Sequence, residues 1–199
     1  MKDVYSDTES EAEYHKKNQV YQELIGGFSA SALMRDFPAF VERRTISKFL
    51  GLYEAFKLTI GVPGNVLELG VHNGYNFFTL LHLINTFYPT DRLVQLVGFD
   101  SFEGYGGRPS SAIEHELVSE FNKGVNEGAY DQVKMITSIH ESLAPLSGLK
   151  RVTLVKGDVL ETLPSFLEEH SGVRFKFVSC DLNTYDATLK SLNFLRDSI

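Results

Sequence analysis

The chain has 199 residues, 43% of them hydrophobic and 23% charged, with a net charge of −7 and one cysteine. That length suits one domain burying roughly 70% of the surface its unfolded form exposes, and no apolar run approaches the roughly 20 residues of a membrane helix. The acidic balance argues against a dominant grip on a nucleic-acid backbone, which needs a basic face, and the lone Cys180 cannot form an internal disulfide.

The stretch Met1 to Lys17 is polar and mixed in charge, without the apolar core of a secretory signal, so a cytoplasmic protein is expected. Residues 1–38, with the small-residue run Gly26 to Ser31, read as a cap of short helices, and 39–199 as the main domain. From Ala39 to Ile60 the apolar positions Ile46, Phe49, Leu50, Tyr53, Phe56 and Ile60 follow helical spacing. Gly61, Pro63 and Gly64 break that helix, and Asn65 to Leu69 is a short buried strand ending at Gly70. Phe77 to Phe87 is apolar on nearly every side and predicts a buried helix; Leu93 to Phe99 predicts a second strand ending at Asp100.

From Phe102 to about Leu149 no strand is predicted. Helices near Ala112 to Phe121 and Tyr130 to Leu143 flank the glycine-containing segment 124–128, as in an insertion and crossover. A third strand (Val152 to Val155), a helix (Leu160 to His170), a fourth strand (Phe175 to Cys180) and a helix (Ala187 to Leu195) complete the alternation. Strands linked through helices predict an α/β fold with a Rossmann-like, doubly wound, mostly parallel sheet.

In such a sheet ligands sit beyond the carboxyl ends of the strands. The first turn there is Glu68-Leu69-Gly70-Val71-His72-Asn73-Gly74, whose glycines permit close backbone approach and whose following helix offers unpaired N–H groups to a carboxylate or a phosphate. Glu68 would repel a pyrophosphate but accept from the ammonium of a methionine moiety. Alone, such a turn reads equally as structural. Asp100, in Gly98-Phe99-Asp100-Ser101-Phe102-Glu103-Gly104, is placed to accept from both ribose hydroxyls. Asp158 with Val159 follows the third strand, where it can reach an adenine amine or cap the next helix.

Asp181 leaves the fourth strand beside the reactive end of such a cofactor, where transfer of a methyl group to an alcohol needs a base. With Asn183 it offers oxygen ligands of the kind Mg²⁺ prefers; helix-cap and turn roles are the plainer readings. The histidines show no metal spacing, and His72, His82, His115 and His140 read as ordinary surface or core residues, with His140 a weak acid/base candidate. Arg43, Arg44 and Lys48 read as a solvated helix face. Tyr105, Gly106, Gly107 and Arg108 are placed to shape an acceptor loop, mobility being the blander reading.

Taken in order, the runs Leu67 to Val71 closing at Gly74, Gly98 to Gly104, Lys156-Gly157-Asp158 with Glu161-Thr162, and Asp181 to Tyr185 with Thr188 resemble the macrocin O-methyltransferase (TylF-like) family of class I S-adenosylmethionine enzymes, over about Phe40 to Leu195. The resemblance implies O-methylation of sugar hydroxyls in natural products, usually with Mg²⁺. It implies that Glu68, Gly70, Gly74, Asp100, Ser101 and Asp158 hold S-adenosylmethionine, with His72, Asn73, Phe102 and Val159 counted beside them in the same loops. Asp181 would be base or metal ligand, with Asn183 second in the metal pair. The partner would be a small molecule, with neither nucleic acid nor membrane, and the enzyme could be a homo-oligomer. Two departures stand out: the family usually has a second aspartate where Asn183 stands, and its further acidic ligands follow a fifth strand. A cofactor-binding but inactive relative and an NAD-binding oxidoreductase are the alternatives.

Leu189, Leu192 and Leu195 keep helical spacing to the C-terminus with no stop signal, and four strands are counted where the family's sheet has seven. The expectation is a domain lacking its C-terminal strands, about 40 to 70 residues short by the resemblance and ordinary domain size, with Phe175 to Cys180 left as an apolar edge strand.

Overall fold

A computed structural model describes residues 8–104, 111–122 and 128–199. The chain divides into two compact units, one ending at Lys48 and the other running from Phe49 to Ile199. Tyr105, Gly106, Gly107 and Arg108, read as an acceptor loop, lie outside the described residues, as does most of segment 124–128.

In the first unit, α1 (Thr8–Ile25) and α2 (Ala30–Arg35) precede a single 3-10 turn at Phe37–Ala39. The expectation of short helices is corrected for α1, whose polar sequence carries an i,i+4 Glu13–Lys17 pair at 2.5 Å. Ser29 Oγ accepts from Ala32 N at 3.2 Å and starts α2. The Phe28 and Phe40 rings lie 4.8 Å apart, and the Tyr21 hydroxyl donates to Ala39 O at 3.2 Å.

The next helix, α3 (Arg43–Lys57), begins later than the predicted Ala39 because residues 37–39 take the 3-10 turn around Pro38. It contributes its part from Phe49 onward to the second unit. Of its predicted apolar stripe only Phe56 is fully buried; Leu50 is exposed, and Ile60 falls beyond the end of the helix in the following turn.

The second unit continues with β1 (Asn65–Leu69), α4 (Tyr75–Phe87), β2 (Leu96–Asp100), α5 (Ala112–Asn122), α6 (Ala129–Ser142), β3 (Val152–Lys156), α7 (Val159–Glu169), β4 (Phe175–Cys180) and α8 (Tyr185–Leu195). The four strands are all parallel in the order β3-β2-β1-β4, so the predicted α/β architecture stands. β2 starts three residues later than read: Leu93 is 83% exposed and its N–H donates to Asp91 Oδ1 at 2.6 Å, a turn rather than a strand. Between β2 and β3 the described residues form helices and no strand, as expected of the insertion.

Both faces of the sheet are covered, which is why β1 reads as a nearly continuous apolar run. Val66 points to the side of α4 and packs with Phe77, Leu80 and Ile84, with Phe56 of α3 and Val133 of α6. Leu67 and Leu69 point the other way, against Leu163 of α7 and Leu195 of α8. The insertion is tied to the sheet at Arg151, which is 2% exposed and donates Nη2–H to Tyr88 O at 2.8 Å. Glu141 Oε1 of α6 accepts from Arg151 N and Val152 N at 2.9 and 3.2 Å.

Gly98, in the centre of β2, faces α4. A Cβ there would lie 2.5 Å from Phe77 Cε2 and 2.8 Å from Val71 Cγ2, both in the core. Gly98→Ala is expected to destabilise the protein by about 1–3 kcal/mol through overpacking, read as a lower urea midpoint at unchanged slope.

His82 of α4 and His140 of α6 meet edge to face with ring centroids 4.7 Å apart, and Phe78 lies 5.3 Å from His140. Loss of water around them lowers both imidazole pKa values, and His140 lowers that of His82 further. Below the ordinary imidazole value of about 6.5 the unfolded chain therefore binds protons that the folded one refuses. The stability held above that pH is lost as pH falls through the folded values. Urea unfolding between pH 7.5 and 5 should show this loss, and His140→Phe should flatten it; an unchanged slope in the variant would remove the pair from the account.

Candidate active site

The strand order places the reversal of winding between β1 and β4, so the crevice beyond their carboxyl ends is where this sheet is built to bind. Glu68 lies there, fully buried, on the face of β1 that looks toward α4. Asn76, in the first turn of α4, donates Nδ2–H to Glu68 Oε1 at 3.2 Å and to Asp181 Oδ2 at 3.3 Å. One carboxamide thus spans a carboxylate within β1 and another just after β4, the neighbouring parallel strand. Its own Oδ1 is buried without a hydrogen bond among the described residues. Two acceptors fix the amide's orientation, because only its NH₂ end can face them.

The β1–α4 turn requires glycine twice. Gly70 and Gly74 have φ of +93° and +92°; a Cβ on the first would strike the Asp181 carbonyl, and on the second the Phe78 ring. The parallel ladder runs one residue beyond the strands, with Gly70 N donating to Phe99 O at 2.9 Å and Asp181 N to Leu69 O at 2.8 Å. Those bonds draw Asp181 against Gly70 and within reach of Asn76.

A second group forms around Asp100. Its Oδ2 accepts from His72 N at 2.7 Å and its Oδ1 from Phe102 N at 2.6 Å, tying the β1 and β2 loops together. Each oxygen has a second lone pair for a ligand hydroxyl. His72, Phe102 and Asn183, with φ of 50°, 54° and 57°, are the non-glycine residues with positive φ among the described residues. They lie in the loops after three different strands, each costing about 1–2 kcal/mol of backbone strain.

The remaining expected residues sit on the same edge with differing exposure. Ser101 Oγ–H donates to Gly104 O at 2.5 Å, closing its own turn. Phe102 is 6% exposed against Tyr130, so its side chain belongs to the core. Asn73 Nδ2 lies 2.9 Å from His72 Nε2, and both side chains are exposed. Gly157 N donates to Asp100 O at 2.9 Å, which brings Asp158 alongside. Asp158 Oδ1 accepts from Leu160 N at 2.9 Å as the N-cap of α7, and Val159 is buried beneath it. Cys180 is partly buried, and desolvation pushes its thiol pKa up, as befits a small apolar residue.

Asp181 and Asn183 are exposed in the β4–α8 loop and carry three side-chain oxygens between them. Among the described residues no group of three or more His, Cys, Asp or Glu side chains could hold a metal ion. Asp181 and Asn183 alone fall short of such a group, so an Mg²⁺ ion there would need water or substrate oxygens to complete its shell.

Sequence reasoning missed two residues. Asn76 had a signal, being a polar residue in the first turn of an otherwise apolar helix. Glu114 of α5 had none: its Oε1 accepts from Tyr185 N at 2.8 Å at the start of α8, where the N-cap Thr184 makes no side-chain hydrogen bond of its own.

No protein-family model and no curated protein matches the chain. Solved structures do. The crystal structure of CalS11, calicheamicin methyltransferase, aligns with a TM-score of 0.84 and 24% identity over 98% of this chain and 76% of that one. The apo structure of CalS11, TDP-rhamnose 3'-O-methyltransferase, an enzyme in calicheamicin biosynthesis, aligns with a TM-score of 0.76 at the same identity and coverage. The O-methyltransferase NovP aligns with a TM-score of 0.60 and 18% identity over 77% of this chain and 60% of that one. At these identities the likeness is one of fold: this chain has the α/β fold of these methyltransferases.

Proposed function

We propose that the chain is an S-adenosylmethionine-dependent O-methyltransferase acting in the cytoplasm on a sugar hydroxyl of a natural product, of the macrocin O-methyltransferase type. The observation that carries this reading is the meeting of Glu68 and Asp181 at the switch point of the sheet, bridged by Asn76. Support for the sugar comes from CalS11, a TDP-rhamnose methyltransferase of the same fold.

In this reading the donor set fits the cofactor group by group. The buried Glu68 carboxylate attracts an ammonium, and the glycine turn with the N–H groups opening α4 receives a carboxylate. Asp100, already holding both flanking loops, accepts from ribose hydroxyls, and Asp158 accepts from an adenine amine with the oxygen that does not cap α7. His72, Asn73, Ser101, Phe102 and Val159 shape the loops between them. When bound, the cofactor supplies a methyl group on a positively charged sulfur. Asp181, exposed beside Gly70, takes the proton of the acceptor hydroxyl as general base, while the crevice holds the acceptor in line.

Calorimetry with S-adenosylhomocysteine tests the cofactor. Binding of it, and not of NAD, is expected; the reverse preference would replace this reading with a dinucleotide enzyme. Asp100→Ala should weaken that binding by about 1–3 kcal/mol, as expected when hydrogen bonds to a partly buried group are lost; an unchanged affinity would remove the ribose role.

Turnover needs an acceptor, and TDP-sugars are the first to screen. Asp181→Asn is expected to lower turnover at saturating cofactor by at least about tenfold, with cofactor affinity changed far less, because a base acts in the transition state. Loss of affinity with turnover intact would overturn the assignment. Cofactor binding without turnover on any sugar would favour the inactive relative.

A further inference from the structure

We infer that Asn76 is a positioning residue that couples the cofactor half of the site to the acceptor half, an inference that rests on the methyltransferase reading for its readout. Glu68 belongs to β1 and Asp181 follows β4, so no local turn fixes one carboxylate relative to the other. Asn76 does so through a single nitrogen, 3.2 Å from Glu68 Oε1 and 3.3 Å from Asp181 Oδ2. Glu68 is the buried member of the pair and Asp181 the exposed one, so Asp181 is the partner with room to turn. The buried Oδ1 of Asn76 forms no hydrogen bond among the described residues, so the amide is turned for its acidic partners at the expense of its own oxygen. Asn76 stands on α4, the helix whose first turn follows the glycine turn, so a cofactor that orders this turn also sets the direction of Asp181.

The test is a charge-and-amide exchange. Asn76→Asp places three carboxylates together and should lower the thermal midpoint and weaken S-adenosylhomocysteine binding about tenfold or more. Adding Asp181→Asn restores one amide-to-carboxylate bond with the partners reversed, and should recover part of both losses. Effects that simply add in the double variant would overturn the coupling. Asn76→Leu, of similar size and without a donor, serves where Asn76→Asp does not fold: it should raise the KM for cofactor and lower kcat together, whereas a change in thermal midpoint alone would reduce Asn76 to a packing role. A wild-type chain that binds no S-adenosylhomocysteine would overturn the methyltransferase reading, and the thermal cycle would still read the coupling.

Discussion

The fully buried carboxylate of Glu68 is the constraint on which the rest of the site depends. Removing such a group from water costs several kcal/mol unless hydrogen bonds replace its hydration, and at the end of a central parallel strand the neighbouring backbone donors are already used in the ladder. One donor comes from the next element in the chain. Asn76 supplies it from the first turn of α4, eight residues on, which requires the chain to reverse from strand to helix within five residues. Gly70 and Gly74 permit that reversal, since a side chain at either would meet Asp181 or Phe78. A buried acid, a glycine turn and an amide on the following helix are therefore one unit.

Strain in the adjoining loops follows the same logic. His72 and Phe102 hold left-handed backbone conformations that neither favours, and both amides point into the Asp100 carboxylate. Charge-assisted hydrogen bonds at 2.7 and 2.6 Å offset strain of this size. Asp100 thus ties the two loops together and its carboxylate is held in a fixed direction. Pre-ordering of this kind reduces the entropy lost on binding.

What the sequence made legible was what depends on neighbours along the chain. The four strands, their intervening helices, Glu68 near the end of β1, Asp100 at the end of β2, and Asp158 and Asp181 after β3 and β4 could be read from apolar runs closed by glycine or aspartate. Errors arose where periodicity was a poor guide. Leu93 is apolar but sits in a turn fixed by Asp91, and in the predicted stripe Phe56 is buried and Tyr53 packs against the core while Phe49, Leu50 and Ile60 are exposed. α1 was underestimated because it has no apolar face to announce it. The pairing of Asn76 with Asp181 joins residues 105 apart and exists only because β4 lies beside β1; nothing in local spacing reveals that adjacency.

The insertion between β2 and β3 gains a role from the same long-range logic. α8 begins immediately after the loop that carries Asp181 and the strained Asn183, and its N-cap Thr184 leaves the first-turn N–H groups without a side-chain cap. Glu114 of α5 accepts from Tyr185 N instead, bringing a carboxylate to the positive end of the α8 dipole. The Asp181 loop is therefore held at both ends by other parts of the chain, at one by the ladder bond to Leu69 and at the other by the insertion. A loop anchored in this way can keep an exposed aspartate in a defined direction without burying it. The side of the insertion toward β3 is anchored separately, through Glu141 and Arg151.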